Sequence, residues 1–177
     1  MKADPSRALL NDADELGHEA RSARGDHAAL KLWLRMLACT TQVEDEIRRR
    51  LRMRFDISLP RFDYMAQLYR QPDGLKMKDL SRYLMVTGGN VTGVTDELVR
   101  EGLVSRENSV ADRRAWIVCL TAKGRDAFEA MAHEHEQWIL ELFSGLDGAT
   151  VQQLYTQLGS LRVQLVRQQE NTQRDSR

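Results

Sequence analysis

From His27 onward, apolar residues return at helical spacing and polar breaks separate them. Leu30, Leu34, Leu37, Ile47, Leu51 and Phe55 predict one helix of roughly 28 residues. Pro60 suits the first turn of a second helix, where its missing N–H has no partner to lose. Behind it Phe62, Met65, Ala66 and Tyr69 trace one apolar stripe, closed by a Gln71-Pro72-Asp73-Gly74 turn. A short third helix points Met77, Leu80 and Leu84 inward and leaves Lys76 and Lys78 outward, where both are expected DNA contacts. Thr87 is the expected N-cap of a fourth helix, which buries Val91, Val94 and Leu98 and stops at Gly102.

The period then changes from 3.6 to 2. Leu103–Arg106 and Trp116–Leu120 read as strands, and the charged segment 108–114 between them makes a hairpin. Thr121 caps a second long helix carrying Phe128, Met131, His135, Ile139 and Leu142, which ends near Ser144-Gly145. Thr150 with Gln153 reads as a capping box for a last helix showing Val151, Leu154, Leu158, Leu161 and Leu165. The expected fold is mainly α with a small β-hairpin wing: a winged helix-turn-helix with long N- and C-terminal dimerisation helices. Residues 1–26 read as a polar, mobile extension and 169–177 as a polar tail. Between them, the DNA-binding lobe falls at about 58–121 and the dimerisation helices at about 27–55 and 122–168.

The dimer follows from apolar surface that a compact winged helix leaves uncovered. Val151, Leu154, Tyr155, Leu158, Leu161 and Leu165, with Leu30, Trp33, Leu34 and Leu37, fit a two-fold helical interface. Closure of these faces on one another within one chain is the alternative.

Composition narrows the class. The 177 residues are 42% hydrophobic, enough for a packed core, and carry 26 basic and 26 acidic side chains. The balance hides an asymmetry: residues 1–47 hold 6 basic and 9 acidic groups, 48–125 hold 16 and 9, and 126–177 hold 4 and 8. A basic middle between acidic ends is what a nucleic-acid-facing unit needs. No apolar stretch reaches the roughly 18 residues of a membrane span, and the acidic start is unlike a signal peptide. Two cysteines form no disulfide framework, so the expected setting is the reducing cytoplasm, with no membrane partner.

Candidate chemistry concentrates at Thr87, Gly88, Gly89, Asn90, Thr92 and Gly93. Glycines at a helix start let backbone approach another surface closely. Amides there can face phosphate, Asn90 can pair with adenine, and Thr87 or Thr92 can touch a phosphate or a thymine methyl. A loose turn into a packed helix is the bland reading. Arg113 and Arg114, at the tip of the hairpin, can enter a narrow minor groove. Arg48, Arg49, Arg50, Arg52, Arg54 and Arg61 either complement a helix C-terminus or contact DNA or an anionic ligand such as a coenzyme A thioester.

Catalysis finds no support. His133 and His135 sit about 200° apart on a helix, Glu129–His133 is a lone pair, and Gly88–Gly93 lacks the ending of a phosphate-binding loop. No metal site, catalytic residue or cofactor is expected. Cys39 on an apolar helix reads as an inert core residue, with redox sensing as the alternative; Cys119 reads as packing within a strand.

Five segments together resemble the MarR family of transcriptional regulators. They are Asp79–Leu84, Val91–Leu98, Glu101–Arg106, Asp112-Arg113-Arg114 and Leu120–Gly124, and the likeness spans about residues 30–168. The resemblance implies a homodimeric binder of double-stranded DNA, most often a repressor released by a small-molecule effector. It implies that Arg114 inserts into the minor groove, that Asp112 holds the wing in shape and that Arg113 contacts phosphate or stands in solvent. It also implies an effector pocket between the long helices and the DNA-binding lobe, where Met36, Thr40, Met65, Tyr69, Met131 and His135 are the candidate lining. An aromatic acid or its coenzyme A thioester is the effector implied. A redox-sensing regulator using Cys39 and a helical protein-interaction module are the alternatives.

Overall fold

The computed structural model describes residues 28–83, 91–108 and 116–175. Along them run α1 (Ala28–Phe55), α2 (Leu59–Tyr69), β1 (Leu75–Lys76), α3 (Met77–Tyr83), α4 (Val91–Arg100), β2 (Val104–Asn108), β3 (Trp116–Leu120), α5 (Ala122–Leu142) and α6 (Gly148–Asp175). The polar lead-in, Leu84, the segment Thr87–Asn90 with Gly88 and Gly89, and the hairpin tip with Asp112, Arg113 and Arg114 lie outside the described residues. The elements observed are those of a mainly α winged helix-turn-helix.

Asp56 ends α1 in the left-handed region (φ 51), which aspartate tolerates better than most side chains. Its N–H bonds back to the Arg52 carbonyl at 3.1 Å, and extended Ser58 then opens α2 with Pro60 in the first turn. The expected hairpin is present, with Val104 opposite Leu120 and Asn108 opposite Trp116. It belongs to a three-stranded antiparallel sheet in the order β1-β3-β2, with Leu75 opposite Val118 and Lys76 opposite Ile117. Gly74 makes the added strand possible. Its φ is +79°, and a Cβ there would lie 2.4 Å from Cys119 Sγ and 2.7 Å from the Val118 carbonyl.

The core gathers Leu51, Tyr64, Met65, Leu68, Leu80, Leu98 and Val118, all fully buried. The single stripe expected on α2 is too narrow: Tyr64 and Leu68 are buried beside Phe62 and Met65, and Tyr69 is only half-buried. On α1, Ile47 and Leu51 reach the core, whereas Leu30 and Leu37 are exposed. Cys39 is therefore exposed as well, which corrects its reading as a packed core residue. Cys119 is half-buried, and burial raises its thiol pKa.

The first compact unit extends to His135, within α5. Aromatic packing explains the extension. Phe128 of α5 stacks on Phe62 at 5.4 Å and meets Tyr69 at 4.9 Å, and His135 sits 5.1 Å from Phe62. The second unit begins at Glu136 and contains α6. Here the cap differs from the expected Thr150–Gln153 box: Asp147 Oδ1 accepts the Thr150 N–H at 2.7 Å, and its carbonyl accepts that of Val151. The helix also continues to Asp175, through the polar residues 169–175.

Candidate nucleic-acid interface

Helix α4 follows the short α3 and packs against α2 and β2. Leu98 and Thr95 face inward and are fully buried, while Thr92 is exposed and Gly93 half-buried. Thr95 is a polar side chain in an apolar setting, and its hydroxyl is fully committed. It donates to the Val91 carbonyl at 2.7 Å and lies 2.6 Å from Tyr64 Oη, which donates to it in turn. Burial raises the Tyr64 pKa, so this phenol stays protonated and keeps donating. The pair fixes the polar face of α4 relative to α2.

A second tie links α4 to the wing. Arg106 Nη2 on β2 reaches Asp96 Oδ1 on α4 at 2.5 Å, while Arg106 Nε is buried with no partner among the described residues. The legs of the wing therefore hold a set position against α4, out to the last described pair, Asn108 and Trp116. Lys76 in β1 is half-buried and Lys78 in α3 is exposed. Lys76, Lys78, Thr92 and Gly93 are the described members of the expected DNA-contact set.

The end of α4 is latched to the start of α5. Thr121 Oγ1 donates to the Gly102 carbonyl at 2.7 Å and accepts the Gly124 N–H at 3.0 Å, so it caps α5 as expected. Lys123 Nζ reaches the Glu101 carbonyl at 2.8 Å, and the Thr121 N–H bonds the Leu103 carbonyl at 3.1 Å. A Cβ on Gly124 would fall 1.8 Å from that carbonyl oxygen, so only glycine fits.

The arginines at the end of α1 are already engaged with acids. Arg48 pairs with Asp45 at 2.5 Å, Arg49 and Arg50 both hold Glu46 at 2.6 Å, and Arg54 reaches Glu134 at 2.8 Å. Hydrogen bonds from Arg49 and Arg50 hold the Glu46 carboxyl at about 2, well below the usual carboxylate range. Arg61, read from the sequence with this run, instead pairs with Glu101 at the end of α4.

The residues expected to line an effector pocket fall in different environments. Met65 and Met131 are buried, Met36 half-buried and Thr40 exposed. Tyr69 Oη donates to Glu129 at 2.9 Å, and Arg125 lies 5.2 Å over its ring. His135 packs on Phe62, and burial lowers its pKa, favouring the neutral imidazole. A cavity of about 190 Å³ opens elsewhere in this unit, between Phe55, Ile57, Leu103 and Met131, with Asp56 and the Arg61–Glu101 pair on its wall. Of the expected lining residues, Met131 alone borders it. Sequence reading missed both ion pairs that grip α4, because their members lie 10 and 40 positions apart. Among the described residues no group of three or more His, Cys, Asp or Glu is placed to hold a metal, and no helix is long and apolar enough to cross a membrane.

Known proteins match this architecture. The family model described as MarR family matches residues 57–116, from the turn after α1 to the first residue of β3. The transcriptional activatory protein BadR of Rhodopseudomonas palustris is 38% identical over 60 residues, 34% of this chain and 34% of BadR. The chain spans less than half the length of the first curated relatives it matches, the next two being covered over 46% and 49%. The crystal structure of a MarR family transcriptional regulator from Silicibacter pomeroyi superposes with a TM-score of 0.69 at 30% identity, covering 80% of this chain and 99% of that one. S. aureus MepR in complex with DNA shares the fold, with a TM-score of 0.63 at 24% identity over 80% of this chain and 99% of MepR.

Proposed function

The chain belongs to the MarR family of DNA-binding transcriptional regulators, which are not enzymes, and from that premise we propose that it binds a pseudo-palindromic operator as a homodimer, represses from it, and leaves when a small effector binds. The observation that carries this reading is the grip on α4. The Tyr64–Thr95 hydrogen bond and the Asp96–Arg106 pair hold its exposed polar face and the wing strand as one body. On that body Thr87, Gly88, Gly89, Asn90, Thr92 and Gly93 meet the major groove, Lys76 and Lys78 the flanking phosphates, and Arg114, supported by Asp112 beside Arg113, the minor groove. MepR, which shares the fold, was solved with DNA bound.

A second copy covers Leu30, Trp33 and Leu37 of α1 and Val151, Leu154, Tyr155 and Leu158 of α6, all exposed in the single chain. Two recognition helices then stand about one DNA turn apart, roughly 34 Å. The effector shifts the dimer toward a spacing that mismatches successive grooves. Met36, Thr40, Met65, Tyr69, Met131 and His135 are the first residues to probe for it, and an aromatic acid or its coenzyme A thioester is the first ligand class. BadR is named as an activator, which favours positive control as the second reading.

The test is selection from a pool of random duplexes at two salt concentrations, followed by sequencing and transcription from the recovered site. An enriched pseudo-palindrome whose affinity falls steeply with salt, and weakens with Arg114→Ala, supports the proposal. No enrichment refutes it. Transcription that falls when protein is added supports repression, and transcription that rises supports the activator reading.

A further inference from the structure

The wing carries a large aromatic side chain outside the core. Trp116 opens β3 and is 46% exposed, whereas Val118, two residues on, is fully buried. We infer that Trp116 packs against the sugar–phosphate strand that separates the groove entered by α4 from the groove entered by the wing tip. The inference rests on the DNA-binding reading above and adds to it a contact that reads no sequence.

Register sets the direction of the indole. Side chains alternate along a strand, so Trp116, Val118 and Leu120 share one face of the sheet and Ile117 and Cys119 the other. Arg106 stands opposite Val118 and reaches Asp96 of α4, so the face that carries Trp116 is the one turned toward α4. β2 doubles back along that helix: the Leu103 N–H bonds the Leu98 carbonyl, and Arg106 then meets Asp96. The Asn108–Trp116 pair lies two residues farther out, roughly 7 Å. Thr92, exposed on the same face of α4 as Asp96, lies one helical turn farther, about 5.4 Å. Trp116 and Thr92 therefore stand on the two sides of one gap, with the Arg106–Asp96 pair as its floor.

Chemistry decides what fills that gap. With α4 in the major groove and Arg114, two positions before Trp116 in the sequence, in the minor groove as proposed above, the strand between the grooves crosses it. Each deoxyribose on that strand offers an apolar C–H face between two phosphates. An indole matches it with an apolar ring and one N–H donor, and it has no acceptor to repel phosphate. Arg106 neutralises Asp96, which would otherwise repel those phosphates from the floor of the gap.

The test uses the full chain carrying 5-fluorotryptophan and two duplexes, one recovered by selection and one of unrelated sequence at lower salt. Trp116→Phe identifies the Trp116 fluorine resonance by its loss, and in the parent that resonance shifts when either duplex is added. Trp116→Phe keeps an aromatic ring without the donor and weakens binding to both duplexes about threefold, and Trp116→Ala weakens both about tenfold. The indole is uncharged, so the slope of affinity against salt stays that of the parent. Thermal unfolding of the free variants checks that each keeps its fold, and Trp116→Phe carries the test if Trp116→Ala does not. Parent-like affinity in the folded variants, a resonance that stays still at saturation, or a loss confined to one duplex overturns the contact. Each of these results leaves the DNA-binding reading intact. Failure to enrich a pseudo-palindrome removes the operator reading alone, because the unrelated duplex still reports the contact. A parent that binds neither duplex removes both.

Discussion

The buried Tyr64–Thr95 pair predicts an asymmetry between two isosteric substitutions. Tyr64→Phe removes a donor but leaves the Thr95 hydroxyl bonded to the Val91 carbonyl, so no buried polar atom is stranded. The expected loss is about 0.5–1.5 kcal/mol, the net worth of one hydrogen bond. Thr95→Val keeps the shape and branching of the side chain but leaves Tyr64 Oη in a fully buried position without its acceptor. That carries the desolvation penalty of the phenol as well, about 1–3 kcal/mol. The double variant removes both hydroxyls and is expected to be more stable than Thr95→Val alone. Urea unfolding of the four proteins, with the slope checked for constancy, measures the cycle. Equal single effects, or strictly additive ones, would refute the account of Thr95 as an acceptor whose removal strands its donor.

Three further outcomes follow from the geometry. Gly124→Ala drives a methyl into the Leu103 carbonyl and is expected to destabilise by about 1–3 kcal/mol, read by thermal or urea unfolding. The Glu46 carboxyl should titrate with a midpoint of about 2, against an ordinary value of 4.5, in a carbon-detected pH series. Its folded pKa is depressed, so its contribution to stability is full above the unfolded value and is lost as pH falls toward 2. His135 should titrate below its ordinary 6.5 because burial disfavours the imidazolium. The unfolded chain takes up that proton first, so stability present above 6.5 is lost as pH falls through the folded value, as imidazole proton shifts would show.

Local periodicity made most of the fold legible. α1, α2, α4, the hairpin and α5 follow from apolar spacing, a proline, a terminating glycine and the Thr121 cap, each a short-range signal. Strand β1 was not legible, because two residues become a strand only through pairing with β3 some forty positions away. The α6 cap was misplaced because Asp147 and Thr150 are both good capping residues one turn apart, and only geometry shows which oxygen meets the free N–H. Tyr64, which lies outside the stripe of Phe62, Met65, Ala66 and Tyr69, is buried because α2 is enclosed on more than one side. The residue types proposed to face DNA were visible as glycines, threonines and arginines in order. The groups that hold α4 in place were not, since Arg61, Glu101, Asp96 and Arg106 look like ordinary surface charges until the chain brings them together.

The hydrogen bond from Thr121 to the Leu103 carbonyl, backed by the close approach of Gly124, fastens the two ends of the hairpin to each other. The wing is thus a closed detour in the chain: it leaves and returns at one point, and nothing downstream depends on how long it is. Lengthening a flexible loop whose ends are already joined adds only slowly to its entropic penalty, about 0.6 kcal/mol per doubling. Insertions, deletions or whole transplants between Asn108 and Trp116 can therefore change what the wing meets while the helices keep their positions. In this architecture the segment between the two strands can be exchanged as a cassette without the rest of the protein having to be rebuilt around it.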